Sequence, residues 1–182
     1  QMADSAELFK VLPRKGPTRY GALVPNLQGL QAAIAARADE IGLFTACSDG
    51  FTRANIGIGV EESLIRFAPL VLEARRLGIK VRGYLSTVIA CPYDGPTRPK
   101  RVAALAERLL DLGCHEISLG DTIGVGTPGT VAPMLDAVLH EIPAGRLAVH
   151  FHDTYGQGLA NLLPALERGI RTIDCSVAGL GG

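Results

Sequence analysis

The stretch Ala148-Val-His-Phe-His-Asp-Thr-Tyr-Gly-Gln-Gly158 decides the fold, because a short apolar run gives way there to polar residues and glycine. A buried strand followed by a polar loop is typical of the parallel sheet of an α/β protein. The same pattern recurs along the chain and predicts six strands. They are residues 20–24, 40–45, 80–86, 116–120, 147–152 and 172–176.

Amphipathic helices fit between the predicted strands. Pro99 suits the first turn of one of them, and Gly113 suits the position just past its last turn. Regular alternation of strands and helices predicts a parallel sheet with right-handed crossovers. Since no linker or low-complexity segment interrupts the pattern, we expect one domain over residues 1–182. The predicted helices are residues 27–36, 61–77, 99–112, 130–141 and 159–168.

Two architectures accommodate this alternation, a doubly wound open sheet and a (β/α)8 TIM barrel. The dinucleotide-binding open sheet predicts a G-x-G-x-x-G motif after its first strand, and residues 20–29 contain none. Polar residues instead follow nearly every predicted strand, and in a barrel all of these loops open onto the face that carries the active site. The pattern therefore favours an α/β fold of the TIM-barrel class. Six units are fewer than the eight that close a barrel, so we expect the chain to form part of one.

Composition narrows the expected partners and cell compartment. The 18 basic and 18 acidic residues cancel, and without a basic run nucleic acid is not an expected partner. No apolar run approaches the roughly 20 residues of a membrane helix, and no signal-like segment opens the chain, so a membrane is not expected either. The 4 cysteines are scattered without C-x-x-C spacing, which indicates a reducing compartment, the cytosol or an organelle matrix.

His150 and His152 lie at the end of a predicted strand. Alternate strand residues point to the same side, so both imidazoles can reach one metal ion while Phe151 turns toward the helices. The alternative is that each ring is hydrogen-bonded to a neighbour without a metal, which is the commoner use of histidine. Their place at the predicted barrel mouth favours the metal, and both interpretations stay open. Asp153 could orient one ligand, or it could be a turn residue.

Asp121 and Thr122 follow the preceding predicted strand at the same end of the barrel, in the segment Ser118-Leu-Gly-Asp-Thr122. We expect a carboxylate and a hydroxyl to face the metal there, where the aspartate can act as acid or base. The alternative assigns Asp121 to hydrogen bonds with the glycine-rich loop behind it. Arg82 and Tyr84 allow a similar pair of interpretations, a buried ion pair and packed ring or a substrate contact.

Three segments, residues 113–129, 150–158 and 176–182, carry a resemblance to a known family. Together they resemble the 3-hydroxy-3-methylglutaryl-CoA (HMG-CoA) lyases, divalent-metal TIM-barrel enzymes related to isopropylmalate and homocitrate synthases. The His-x-His and Asp-Thr pairs are shared by the whole superfamily, whereas Ser176-Val-Ala-Gly-Leu-Gly-Gly182 is specific to the lyases. The similarity runs the whole length, and it implies that the chain carries the last six βα units of the barrel.

The resemblance implies cleavage of 3-hydroxy-3-methylglutaryl-CoA to acetyl-CoA and acetoacetate by metal-assisted retro-Claisen chemistry. It makes His150 and His152 ligands of Mg²⁺ or Mn²⁺. It also makes His150 a group for proton transfer and Asp121 a catalytic carboxylate. The residues implied to line the pocket of the small-molecule acyl-CoA substrate are Tyr84, Ser118 and Thr122.

Parts of the family's site have no counterpart in residues 1–182. The resemblance implies two further metal ligands, an aspartate after the first barrel strand and an asparagine beyond the eighth, and a catalytic cysteine directly after Gly182. Cys91 lies in a similar Cys-Pro-Tyr, but it follows the predicted strand 80–86, so we assign it no catalytic role. We therefore expect residues 1–182 alone to be inactive.

Three functions stay open from the sequence. The lyase is favoured, a related acyl-CoA-dependent Claisen synthase is the second, and a non-catalytic barrel fragment is the third. A homo-oligomer is compatible with each of them. The expected location is the cytoplasm, with the mitochondrial matrix as the alternative.

Overall fold

The computed structural model describes residues 4–179 and contains two sheets and a layer of helices. The strands are β1 (Gly21–Leu23), β2 (Glu40–Ala46), β3 (Lys80–Ser86), β4 (Ala90–Cys91), β5 (Gly95–Pro96), β6 (Glu116–Asp121), β7 (Leu147–Phe151) and β8 (Thr172–Ile173). The α-helices are α1 (Ser5–Val11), α2 (Leu27–Ala35), α3 (Asp49–Ile56), α4 (Val60–Arg76), α5 (Pro99–Leu112), α6 (Pro128–Glu141) and α7 (Gly158–Glu167). Short 3₁₀ turns cover Ala144–Arg146 and Val177–Gly179.

Six of the strands form one sheet in the order β1-β2-β3-β6-β7-β8, and β4 and β5 form a separate antiparallel hairpin. Every neighbouring pair in the large sheet is parallel. Helices connect the parallel strands, as parallel pairing requires. The sheet curls as part of a (β/α)8 barrel, so the predicted α/β TIM-barrel class is confirmed.

Side chains of the large sheet alternate between two faces with different chemistry. Ile117 and Leu119 of β6 are fully buried and belong to the apolar core beneath the helices. Ser118, between them, faces the opposite way and lines a cavity with His150 of β7. We call this second face the inner face, because in a closed barrel it faces the axis. Burial of each large apolar side chain in the core stabilises the fold by roughly 1.5–3 kcal/mol.

The longest helix, α4, shows how the outer layer is built. Its buried positions include Leu64, Phe67 and Val71, spaced three and four residues apart. Acidic residues occupy its first turn and arginines its last, which complements the helix dipole. Among residues 4–179, no helix has both the length and the apolar character that crossing a bilayer requires.

Helices α1 and α3 and the β4-β5 hairpin are not anticipated by the sequence pattern. At α3 the segment Cys47-Ser48-Asp49 indicates only a polar loop, but Ser48 caps a helix by accepting a hydrogen bond from the Phe51 amide. Only Thr52 of α3 is buried, so the helix has no apolar stripe for periodicity to detect. It ends at Gly57, whose φ of 76° is the left-handed conformation that favours glycine.

Candidate active site

The two histidines converge on the inner face at the carboxyl end of β7. The Nε2 atoms of His150 and His152 are 3.1 Å apart, and the ring planes are tilted by 55°. Both side chains are half-buried, and Phe151 between them packs against the apolar core. Two nitrogen lone pairs at this separation repel unless one ring donates a hydrogen or both face one cation. The donor set therefore fits a divalent ion, although the described residues supply no group of three or more metal-binding side chains.

A cavity of about 110 Å³ lies beside the histidine pair, at the ends of β3 and β6. Both histidines line it, together with the three residues expected from the sequence to contact substrate. Ser86 and Gly120 complete most of the wall. The structure thus brings five of the six expected site residues to one place. The three expected substrate residues are Tyr84, Ser118 and Thr122.

Room for the Tyr84 ring comes from Gly42 on the neighbouring strand. A Cβ atom at Gly42 would lie 2.7 Å from Cε2 of Tyr84, closer than real Cβ contacts. The Tyr84 hydroxyl accepts a hydrogen bond from Arg82 at 3.0 Å, so its own hydrogen is free for another acceptor. Burial raises the pKa of Tyr84 despite the nearby Arg82 charge, which keeps the phenol protonated.

Arg82 forms the anchor of a buried polar cluster on the inner face. Its guanidinium contacts Glu116 at 2.7 Å and Asp174 at 2.7 Å, and Thr172 donates to the second oxygen of Glu116 at 3.0 Å. The arginine side chain is only 9% exposed. Of the two interpretations of Arg82, the structure supports the ion pair.

Asp174 is the residue beside the histidine pair that the sequence interpretation missed. One of its oxygens accepts the Ser118 hydroxyl at 2.6 Å and lies 3.4 Å from Nδ1 of His150, while Arg82 pairs with the other. Burial opposes ionisation, but the nearby His150 ring, the Ser118 hydrogen bond and the Arg82 charge outweigh it, so the pKa of Asp174 lies below its usual value. Asp174 links the arginine anchor to the histidine pair.

A signal for Asp174 was present in the sequence. It is the one charged residue of the predicted strand 172–176, and alternation places it on the same face as Thr172. Its amide donates to the Val149 carbonyl at 2.9 Å, which continues the β7-β8 pairing past the end of β8. The strand alignment that sets Asp174 beside His150 is not readable from the sequence.

Asp121 is the one expected site residue that does not line the cavity, so its expected place facing the metal stays a prediction. Asp121 shares its strand face with Ile117 and Leu119, so its side chain is fully buried toward the helices and does not line the cavity. One carboxylate oxygen accepts the Gly126 amide at 2.7 Å. Burial raises the pKa of Asp121 although the loop amides oppose that shift. The alternative, in which Asp121 holds the glycine-rich loop, describes the geometry.

The glycine-rich loop held by Asp121 packs against the segment that carries the histidines. Gly124 adopts a left-handed φ of 64°, and a Cβ there would collide with Thr154 and lie 3.0 Å from the His152 carbonyl. Asn161 of α7 donates to the Gly126 carbonyl at 2.9 Å. Asp121 therefore contributes to the site through the position of this loop.

Two further residues have structural roles. Asp153 accepts the amide of Gly158, the first residue of α7, at 2.7 Å, which is the geometry of the turn alternative. Cys91 is buried in the β4-β5 hairpin, where its sulfur accepts the amides of Tyr93 and Asp94 at 3.3 Å. The assignment of no catalytic role to Cys91 stays a prediction. Of the lyase-like segment 176–182, residues 180–182 lie outside the described part of the chain.

The family follows from comparison of the whole chain. The HMGL-like family model matches residues 6–182. The chain belongs to the HMGL-like family. It is 54% identical over all 182 residues to the cytoplasmic 3-hydroxy-3-methylglutaryl-CoA lyase of Danio rerio and covers 54% of that protein. It is 53% identical to the mitochondrial hydroxymethylglutaryl-CoA lyase of Bos taurus and covers 56% of it. The chain thus spans about half the length of the curated relatives it matches.

Solved structures of lyases share the backbone of this HMGL-like chain. The HMG-CoA lyase of Brucella melitensis superposes with a TM-score of 0.96 at 53% identity, covering 99% of this chain and 64% of that one. The HMG-CoA lyase of Acinetobacter baumannii, solved in complex with coenzyme A and 3-methylmalate, has a TM-score of 0.93 at 34% identity, covering 99% and 59%. The inner-face residues described above are therefore set in a backbone that closely matches those of HMG-CoA lyases.

Proposed function

We propose that the protein is a lyase that cleaves 3-hydroxy-3-methylglutaryl-CoA to acetyl-CoA and acetoacetate. The observation that carries the proposal is the convergence of the His150 and His152 Nε2 atoms, 3.1 Å apart, beside a cavity lined by hydroxyl groups. The identity of about half of all residues to named lyases supports the same reaction. An acyl-CoA substrate is supported by the relative solved with coenzyme A.

His150 and His152 would hold a divalent cation, Mg²⁺ or Mn²⁺, through their Nε2 atoms. Such an ion supplies Lewis-acid polarisation of substrate oxygens and fixes their orientation. Imidazole nitrogens are only part of the oxygen-rich shell that these ions prefer. Substrate oxygens and ligands outside residues 4–179 would supply the remainder.

The hydroxyl groups of the cavity differ in what they offer a substrate. The Tyr84 hydroxyl and the Thr122 hydroxyl each accept a hydrogen bond, at 3.0 Å from Arg82 and at 2.8 Å from the Thr87 amide, and so each keeps a hydrogen to donate. The Ser118 hydrogen is already donated to Asp174, so Ser118 is left as an acceptor. Tyr84 and Thr122 would therefore orient a carbonyl or carboxylate oxygen of the substrate.

The two roles that the resemblance assigns to His150 compete for one atom. Its Nδ1 faces Asp174, so both cation binding and proton transfer with the substrate need Nε2. We propose the ligand role, because His152 converges on the same point. The carboxylate of Asp121, buried behind the sheet, would act by holding the glycine loop in place.

The location follows the relatives. We infer a cytoplasmic protein, with the mitochondrial matrix as the alternative, because lyases named for both compartments match at nearly equal identity. The scattered cysteines agree with either of these reducing compartments.

The test is acetoacetate release from 3-hydroxy-3-methylglutaryl-CoA by the full-length protein, measured with Mg²⁺, with Mn²⁺ and after chelation by EDTA. We expect turnover that chelation abolishes and that His152→Ala lowers by about 10³-fold, since a metal supplies several kcal/mol of transition-state stabilisation. Cys91→Ala is the matched control and should retain wild-type turnover. Metal-independent cleavage, or condensation of acetyl-CoA with a 2-oxo acid in place of cleavage, would contradict the proposal.

A further inference from the structure

Asp174 occupies the position from which one side chain can control the chemistry of His150. A neutral imidazole carries a hydrogen on one ring nitrogen and a lone pair on the other, and the hydrogen bond at one nitrogen selects the tautomer. A cation can bind only at the nitrogen with the lone pair. Which nitrogen of His150 faces an acceptor therefore decides whether Nε2 is available.

The contacts of Asp174 make it an acceptor toward His150. Its Oδ2 lies 3.4 Å from Nδ1 of His150, and a lone pair on Nδ1 would repel a carboxylate oxygen at that place. The Ser118 hydroxyl donates to the same oxygen at 2.6 Å and fixes its position. A hydrogen on Nδ1 is therefore the favoured state, and the lone pair of His150 is left on Nε2.

The orientation of Asp174 is itself fixed from behind. Arg82 pairs with Oδ1 at 2.7 Å, so the carboxylate cannot rotate without breaking a buried ion pair. Arg82 is in turn held by Glu116 at 2.7 Å. The carboxylate is pre-organised by residues that do not touch the cavity side of His150.

We propose that Asp174 is the positioning residue of the histidine pair, holding the hydrogen of His150 on Nδ1 so that Nε2 is free for a divalent cation. This inference rests on the metal-binding part of the proposed function. Asp174 acts through His150, the residue that would hold the cation. Ser118 contributes to the same arrangement, because its hydroxyl donates its hydrogen to Asp174.

The substitution Asp174→Asn tests the proposal with little change of shape. Because Arg82 donates to the Oδ1 position, the amide oxygen should take that place and the amide nitrogen should face Ser118 and His150. The amide then donates to Nδ1, and the hydrogen of His150 moves to Nε2. We expect the affinity for Mn²⁺ to fall by 10- to 100-fold, the range usual for partners of metal ligands.

Two measurements are made on the full-length protein. Long-range ¹H–¹⁵N correlation spectra of metal-free, ¹⁵N-histidine-labelled protein at pH 8.5 report which nitrogen of His150 carries the hydrogen, with His150→Gln giving the assignment. Titration with Mn²⁺, followed by the electron paramagnetic resonance signal of the free ion, gives the affinity. Asp136→Asn is the matched control, because it makes the same carboxylate-to-amide change at an exposed aspartate whose partner is Arg168, and it should change Mn²⁺ affinity by less than three-fold.

The expected result is hydrogen on Nδ1 in the wild type, hydrogen on Nε2 in Asp174→Asn, and weaker Mn²⁺ binding only in that variant. A wild-type His150 with its hydrogen on Nε2 overturns the proposal, and this reading needs no variant to fold. The proposal is also overturned if Asp174→Asn leaves the Mn²⁺ affinity unchanged, or if Asp136→Asn lowers it equally. A wild-type protein that binds no Mn²⁺ would refute the metal site of the proposed function, while the tautomer would still decide the role of Asp174.

Discussion

Replacing Arg82 with methionine should strongly destabilise the fold. The guanidinium contacts Glu116 and Asp174, each at 2.7 Å, and donates to Tyr84 at 3.0 Å. The exposed fraction is 9% for the arginine side chain and 16% for each carboxylate partner. Methionine fills similar space without charge, so the variant leaves two carboxylates on the inner face without their counter-charge.

The size of the effect follows from this burial. Removing one partner of a buried ion pair costs about 3–5 kcal/mol, and two carboxylates lose their partner, so we expect about 4–5 kcal/mol. Domains are stable by about 5–15 kcal/mol, so the loss is a large share of the total. For a urea dependence of about 2 kcal/mol per molar, the unfolding midpoint should fall by about 2 M.

The assay is urea unfolding of the full-length protein, followed by circular dichroism at 222 nm. Arg108→Met is the matched control, because Arg108 also pairs with a carboxylate, that of Glu61, but with exposed fractions of 45% and 63%. Solvent screens that pair, so the control should keep the wild-type midpoint. The double variant Arg82→Met with Glu116→Gln should recover part of the loss, since it removes one unpaired charge. Equal midpoints for the Arg82 and Arg108 variants would refute the reasoning.

Three other outcomes are expected. Burial raises the pKa of Asp121, so its stabilising contribution is full below the ordinary value of 3.8 and is lost as pH rises through the raised pKa. The melting temperature of Asp121→Asn should therefore rise relative to that of the wild type between pH 4 and pH 7. A difference that does not change with pH would contradict this. Iodoacetamide at pH 8 should label the exposed Cys175 of the native protein and spare the three buried thiols, and peptide mass spectrometry can check this. Cys114 is an example, because burial raises its pKa to about 12. Gly126→Ala places a Cβ 2.7 Å from the Asp121 carboxylate and should cost about 1–3 kcal/mol of unfolding free energy in urea melts, whereas Gly145→Ala, with nothing within 4 Å, should cost nothing measurable.

The spacing of apolar residues in the sequence was sufficient to predict the layered architecture of sheet and helices. The strand at 80–86 is predicted with the bounds that the structure has, and the helices at 99–112 and 27–36 differ from it by at most one residue. Buried parallel strands are continuous apolar runs and outer helices have an apolar stripe, so both leave a periodic trace. Helix α3 was missed because its stability comes from a cap and a turn and not from an apolar stripe.

The alternation of side chains between the two faces of a strand can also be read from the sequence. Alternation places His150 and His152 together, and the structure has their Nε2 atoms 3.1 Å apart. The same rule places Asp121 with Ile117 and Leu119, and the structure buries its carboxylate outside the cavity wall.

The sequence by itself determined the repeating strand-helix pattern, the pair of imidazoles on one face and the polar end of the sheet, because each depends on residues near one another in the chain. Only the tertiary structure decided which distant residues meet. The pairing of β7 with the strand after it sets Asp174 beside His150, and the pairing of β3 with β6 sets Arg82 beside Glu116. Strand alignment is the sum of many weak packing and backbone contacts across the whole sheet, and no local motif encodes it.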